Sequence, residues 1–186
     1  MFLNGLDTSE LKEVFRAYPE VSHPLALHRH ALMRGPSPFT PGERELIAAF
    51  TSLLNACSYC HGEHNAVAAA FGLPPDLLKS LAEDIDTAPI EPRLRPVFHY
   101  VKKLTLSPAR MVKADADAVF AAGWDDAALF HAASVCALFN LDNRLVQGLG
   151  VPAQPPEVFA GTVKRLHDHG YAATARYVAE ALEKKP

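Results

Sequence analysis

Apolar positions along this chain recur at the three- and four-residue spacing of helix faces. Leu11, Val14 and Phe15 form such a stripe behind Asp7-Thr8-Ser9-Glu10, which predicts a first helix start. Pro19 and Pro24 bracket a break, and a second helix runs from Leu25 to Arg34, closed by Gly35. The sharpest local signal is Thr40-Pro41-Gly42-Glu43, a capping box with Pro at the first helical position, opening a helix that continues to about Asn55. Another runs from about Cys57 to Phe71 and stops at Gly72, and Leu73-Pro74-Pro75-Asp76 starts a short one. A proline-rich connector, Thr87 to Pro96, leads into a helix through Phe98 and Val101 that Ser107-Pro108 closes. Lys113 to Ala122 is predicted helical up to Gly123, and Asp125 caps a long apolar helix from Asp126 to about Gln147. A loop from Val151 to Pro156 precedes helices around Glu157–His169 and Tyr171–Lys184.

Composition agrees with this pattern. The 186 residues include 30 Ala and 23 Leu against 3 Ile, a tilt toward helix that leaves the 15 prolines as punctuation. The expectation is an all-α protein, one domain spanning residues 1–186, with no repeat or low-complexity tract. A formal net charge of −3 and scattered Lys and Arg argue against a nucleic-acid partner held through phosphates. The longest run without Asp, Glu, Lys or Arg is Leu46 to Gly62, 17 residues. It contains Thr51, Ser52, Asn55, Ser58 and His61, which marks a buried helix rather than a membrane span. Three cysteines do not make a disulfide-stapled scaffold, and Met1 to Leu6 lacks a signal-peptide pattern, so a cytoplasmic protein with no membrane partner is expected.

Chemistry concentrates at Cys57-Ser58-Tyr59-Cys60, with His64 four residues further on. Two thiols three apart at a helix start can close a disulfide with little backbone movement, and the helix N-terminus stabilises a thiolate. On a helix, positions 57, 60, 61 and 64 share a face, so His64 can take a proton from a thiol. Glu45, just ahead of the uncharged run, would orient that imidazole and hold its imidazolium form, and a buried polar network would explain its place. Two other readings stay open on spacing alone: a zinc site with Glu45 or His61 as fourth ligand, or inert buried cysteines beside a core histidine.

The set Glu45, Cys57, Cys60 and His64, preceded by Phe39-Thr40-Pro41-Gly42-Glu43-Arg44-Glu45-Leu46-Ile47-Ala48, resembles the alkylhydroperoxidase D (AhpD)-like branch of the carboxymuconolactone decarboxylase superfamily. The run Ala137-Leu138-Phe139-Asn140 through Asn143-Arg144 to Gly148-Leu149-Gly150-Val151 is similar to its peroxidase-related proteins. The resemblance spans residues 20–152, with the helices of 156–184 following this core. It implies an all-helical fold, a homo-oligomer (dimer, trimer or hexamer), and thiol-dependent reduction of a hydroperoxide. Cys60 would be the peroxidatic thiolate, Cys57 the resolving cysteine, and His64 with Glu45 the proton relay. No metal or cofactor is implied beyond a redox-active Cys57–Cys60 disulfide, recycled by an external thiol or lipoyl-type dithiol. Superfamily decarboxylases typically lack the cysteine pair, and a lyase, a redox sensor or a metal-binding helical protein are the alternatives. Some relatives carry a His between the cysteines where this chain has Tyr59, and His61 offers another proton path. Phe50, Leu53, Leu54 and Phe71 suggest an apolar lining suited to organic hydroperoxides. Cys136 reads as an inert buried thiol and Trp124 as packing. Asn140 and Arg144, one turn apart, read as lining the site or an oligomer contact, and His167 and His169 as solvated.

Overall fold

The computed structural model describes residues 1–153 and 156–184, with side chains of 156–159 left aside. Among the described residues it is 72% helical, with ten α-helices and no strand. The helices are α1 (Leu11–Ala17), α2 (Pro19–Arg34), α3 (Pro41–Leu54), α4 (Ser58–Ala70), α5 (Leu77–Glu83), α6 (Arg95–Leu106), α7 (Lys113–Ala121), α8 (Asp126–Gly148), α9 (Pro156–His169) and α10 (Ala172–Leu182).

α3 is the central element because it is apolar nearly all round. Every residue from Arg44 to Ser52 is buried, and the helix packs against α2, α4, α5, α6 and α8. Its start is the expected capping box: Glu43 N–H donates to Thr40 Oγ1 at 3.2 Å, and Thr40 N–H donates to Glu43 Oε2 at 2.7 Å. The main core gathers α3, α5, α6 and α8 around Phe39, Phe50, Phe98 and Phe139. A second apolar cluster joins Leu11, Val14 and Phe15 of α1 to Cys57, Cys60, Val146 and Val178. The chain's two ends therefore meet at the cysteines.

Three element boundaries differ from the expected ones. α2 runs unbroken from Pro19 through Pro24. Pro19 stands at the first helical position, where no N–H is needed, and Pro24 removes one donor from the second turn. Packing of the face holding Ser22, Ala26, Arg29 and Met33 against α8 and α10 outweighs that loss. α1 begins at Leu11, because the Thr8 hydroxyl accepts from Glu10 N–H and makes a turn before the helix. α5 begins at Leu77 rather than among the prolines. Gln154 and Pro155, in the predicted 151–156 loop, lie outside the described residues. Trp124 is core: its indole donates to Arg93 O at 2.7 Å and its ring lies 4.7 Å from Phe39.

Candidate active site

The turn from α3 into α4 sets the position of the thiols. Cys57 N–H donates to Ser52 O and Ala56 N–H to Leu53 O, both at 2.9 Å, which is a Schellman ending. Such endings need a left-handed residue, and here it is Ala56 at φ 52°. The reversal makes Cys57 the N-cap of α4, with Cys60 in the first turn. The sulfurs are reduced, buried, and share a hydrogen bond at 3.1 Å.

That contact splits their acidities. The Cys57 thiol is drawn down to about 7, first by the Cys60 side chain and then, against burial, by Cys60 N–H and by His64 and Asn143. Cys60 is pushed far up by the same sulfur contact and by burial. The pair gives up one proton easily and holds the second. Asn143, fully buried on α8, is fixed by donating to Ser52 Oγ and accepting from Asn55 Nδ2, both at 2.9 Å, which aims its amide at the sulfurs.

Glu45 lies in the middle of α3 with no exposure. His64 Nδ1 is 2.6 Å from its Oε2, Arg34 Nη2 is 2.7 Å from Oε1, and the Tyr171 hydroxyl donates to Oε1 at 2.9 Å. Burial alone would raise this carboxyl, but the bonds and charges of His64 and Arg34 outweigh it and hold Glu45 below its ordinary value. Tyr171 arrives through a tight turn at Gly170, whose φ is +58° and where a Cβ would lie 2.6 Å from Arg34 Cγ. Only glycine brings that turn so close to Arg34.

Cys60 and His64 open onto a small, partly open cavity of about 70 Å³, walled by Phe139, Tyr171, Glu63 and the buried Arg29–Asp142 pair at 2.6 Å. Cys57 instead lines a wider surface pocket of about 380 Å³ with Phe2, Gln147 and Gly150. Among the described residues only Tyr59 borders both. The dithiol is thus a partition between two openings.

Two solved structures share this architecture. An uncharacterized peroxidase-related protein from a Silicibacter species is 27% identical over 73% of this chain and 71% of its own, with a TM-score of 0.67. A Ralstonia eutropha protein described as an alkylhydroperoxidase AhpD core, also uncharacterized and peroxidase-related, is 27% identical over 78% of this chain and 76% of its own, with a TM-score of 0.71. The chain has an AhpD-like fold. No family model matches the sequence, and no curated protein does.

Within this AhpD-like fold the four predicted residues come together in two contacts, Cys57 with Cys60 and Glu45 with His64. The pairs are not joined directly: among the described residues His64 makes no hydrogen bond to either sulfur, and its ring sits edge-on to Phe139 at 4.4 Å. Its Nδ1 faces Glu45, so a proton passing from Cys60 to His64 has to cross the cavity both line. The expected apolar lining is also corrected. Phe50 is sealed in the main core, Phe71 packs on Arg34 and His167, and the cavity wall is largely polar. Neither Tyr59 nor His61 bonds to the Glu45–His64 pair; burial pushes the Tyr59 phenol up and the His61 imidazole down.

Cys136 is buried against Thr105 Oγ1 at 3.2 Å and its thiol is pushed up by burial. Asn140 joins the polar seam below the thiols, taking a bond from Asn55 at 3.1 Å and one from Arg144 at 2.8 Å. Among the described residues no three His, Cys, Asp or Glu side chains are grouped to hold a metal ion. No helix among them is long and apolar enough to cross a membrane. Arg34, Tyr171, Asn143 and the Arg29–Asp142 pair escaped the sequence reading. Glycine at 170 beside an aromatic was the one local cue, and it does not say where the aromatic lands.

Proposed function

We propose that the protein is a thiol-dependent hydroperoxide reductase. The observation that carries this reading is a reduced sulfur pair 3.1 Å apart with Cys60 facing a small cavity beside His64, itself held by Glu45. The sulfur pair gives up one proton readily, and with the proton gone from Cys60 its thiolate stands where a peroxide can reach it. Cys60 Sγ then attacks the terminal peroxide oxygen. An S–O bond forms, the O–O bond breaks, the alcohol or water leaves, and a sulfenic acid remains. Cys57 attacks that sulfur, an S–S bond forms, and hydroxide leaves as water after taking a proton. Glu45 keeps His64 oriented while protons cross the cavity.

An external dithiol returns the two electrons by exchange, entering from the Cys57 side, where the pocket is wide enough for a flexible thiol arm. A cavity of about 70 Å³ has room for a few waters or a small peroxide, so hydrogen peroxide and short alkyl hydroperoxides fit better than lipid hydroperoxides. The protein acts as a homo-oligomer, which sedimentation against the 20.2 kDa monomer mass tests.

The deciding experiment is peroxide consumption with dithiothreitol. Wild type turns over repeatedly, Cys60→Ser loses activity by at least about 100-fold, and Cys57→Ser forms a sulfenic acid on Cys60 that a sulfenic-acid reagent traps and that closes no intramolecular disulfide. Full activity in Cys60→Ser overturns the assignment. A single oxidation without turnover in wild type indicates a redox sensor instead.

A further inference from the structure

Glu63 stands one turn beyond Cys60 on α4 and lines the same cavity. Three of its neighbours there are already committed. His64 Nδ1 is held by Glu45, the Tyr171 hydroxyl donates to Glu45, and Asp142 is the anion of an ion pair with Arg29. Glu63 has no hydrogen bond or ion pair among the described residues, although Arg29 and Arg165 border the same space. A half-buried carboxyl left without a partner favours its neutral form. Burial outweighs the cations around it and holds its pKa above the ordinary value.

We propose that Glu63 is the acid that protonates the departing oxygen. This rests on the hydroperoxide-reductase reading and adds the group that reading lacks. As Cys60 Sγ bonds to the terminal oxygen and the O–O bond breaks, the electron pair of that bond goes to the leaving oxygen. The Glu63 proton moves to it, releasing water or an alcohol and leaving Glu63 as a carboxylate. The half-buried side chain recovers its proton from solvent before the next cycle. General acid help of this kind is typically worth about 10²–10⁴-fold when the leaving group is strongly basic, and nothing when it is already a weak base.

The leaving group therefore provides the test. Single-turnover oxidation of the reduced protein is followed by loss of free thiol, using tert-butyl hydroperoxide, which expels an alkoxide, and peracetic acid, which expels acetate. Glu63→Gln is expected to slow the first about 100-fold and to leave the second within about two-fold, with Glu63→Asp recovering part of the loss. Equal slowing with both oxidants overturns the proposal, because Glu63 would then act on the thiols or the fold. Unchanged rates with both also overturn it. Failure of the whole reading looks different: wild type would oxidise with neither reagent while its thiols still react with an aromatic disulfide.

Discussion

Cys57 shows how much chemistry one backbone position decides. As the N-cap of α4 its sulfur stands at the helix N-terminus beside the Cys60 side chain and backbone, which together draw its acidity down, and a residue deeper in the helix would lack that setting. The consequence is measurable. Alkylation of the reduced protein by iodoacetamide is expected to rise with pH through a midpoint near 7, with the first adduct on Cys57. Cys60→Ala removes the partner that lowers it, so the midpoint moves up toward the ordinary thiol range. A midpoint that stays put, or a first adduct on Cys60, removes the sulfur contact as the cause. At this scale the sequence was legible where chemistry follows spacing: the CxxC pair and the Glu45–His64 contact were both anticipated. It was not legible where side chains far apart in the chain meet. Arg34 reaches Glu45 across a turn the sequence reads as a plain helix end, and Asn143 reaches the thiols from another helix.

Helix ends follow local rules, and most were readable for that reason. The Thr40 box and the Asp125 cap, which accepts from Ala128 N–H at 2.9 Å, are both in place. Gly72, Gly123, Gly150 and Gly170 all take the left-handed conformation that ends a helix cheaply. α2 escaped because its course through Pro24 is decided by what it packs against. The end of α3 escaped because its left-handed residue is Ala56, which carries no punctuation signal. A Cβ in that conformation costs about 1 kcal/mol relative to glycine. Ala56→Gly is therefore expected to raise thermal stability by about 2–4 °C while the thiol midpoint stays where it was. An unchanged or lower melting temperature would mean that the Ala56 methyl supports the turn through packing, and that the strain account is wrong.

At the scale of the whole molecule, the last two helices complete the site. α10 lies along α2 and α9 along α4, and the turn between them carries Tyr171 to a carboxylate 126 residues earlier. Tyr171 also lies under the Arg34 guanidinium, 5.2 Å from ring centroid to carbon, so one side chain meets both halves of the Glu45–Arg34 pair. No periodicity or cap in the chain encodes that meeting, since it depends on how the other helices pack with α3 and with one another. Its energetics can be separated by a double-mutant cycle. Glu45→Gln leaves Arg34 buried without its anion and is expected to cost about 3–5 kcal/mol near neutral pH. Tyr171→Phe keeps the ring and removes only the hydroxyl, costing about 1 kcal/mol. Because that hydroxyl's strongest partner is Glu45, the double variant should lose less than the sum, with a coupling of about 0.5–3 kcal/mol by denaturant unfolding. The pH dependence follows from the direction of the Glu45 shift. A carboxyl held lower in the folded state than in the unfolded chain stabilises above its unfolded value, and that contribution fades as pH falls through the folded one. Wild type should therefore lose stability on acidification more steeply than Glu45→Gln, and the two curves should converge at low pH. Additive costs, or parallel acid limbs, would mean that Tyr171 and Glu45 act independently and that the C-terminal helices cover the site without organising it.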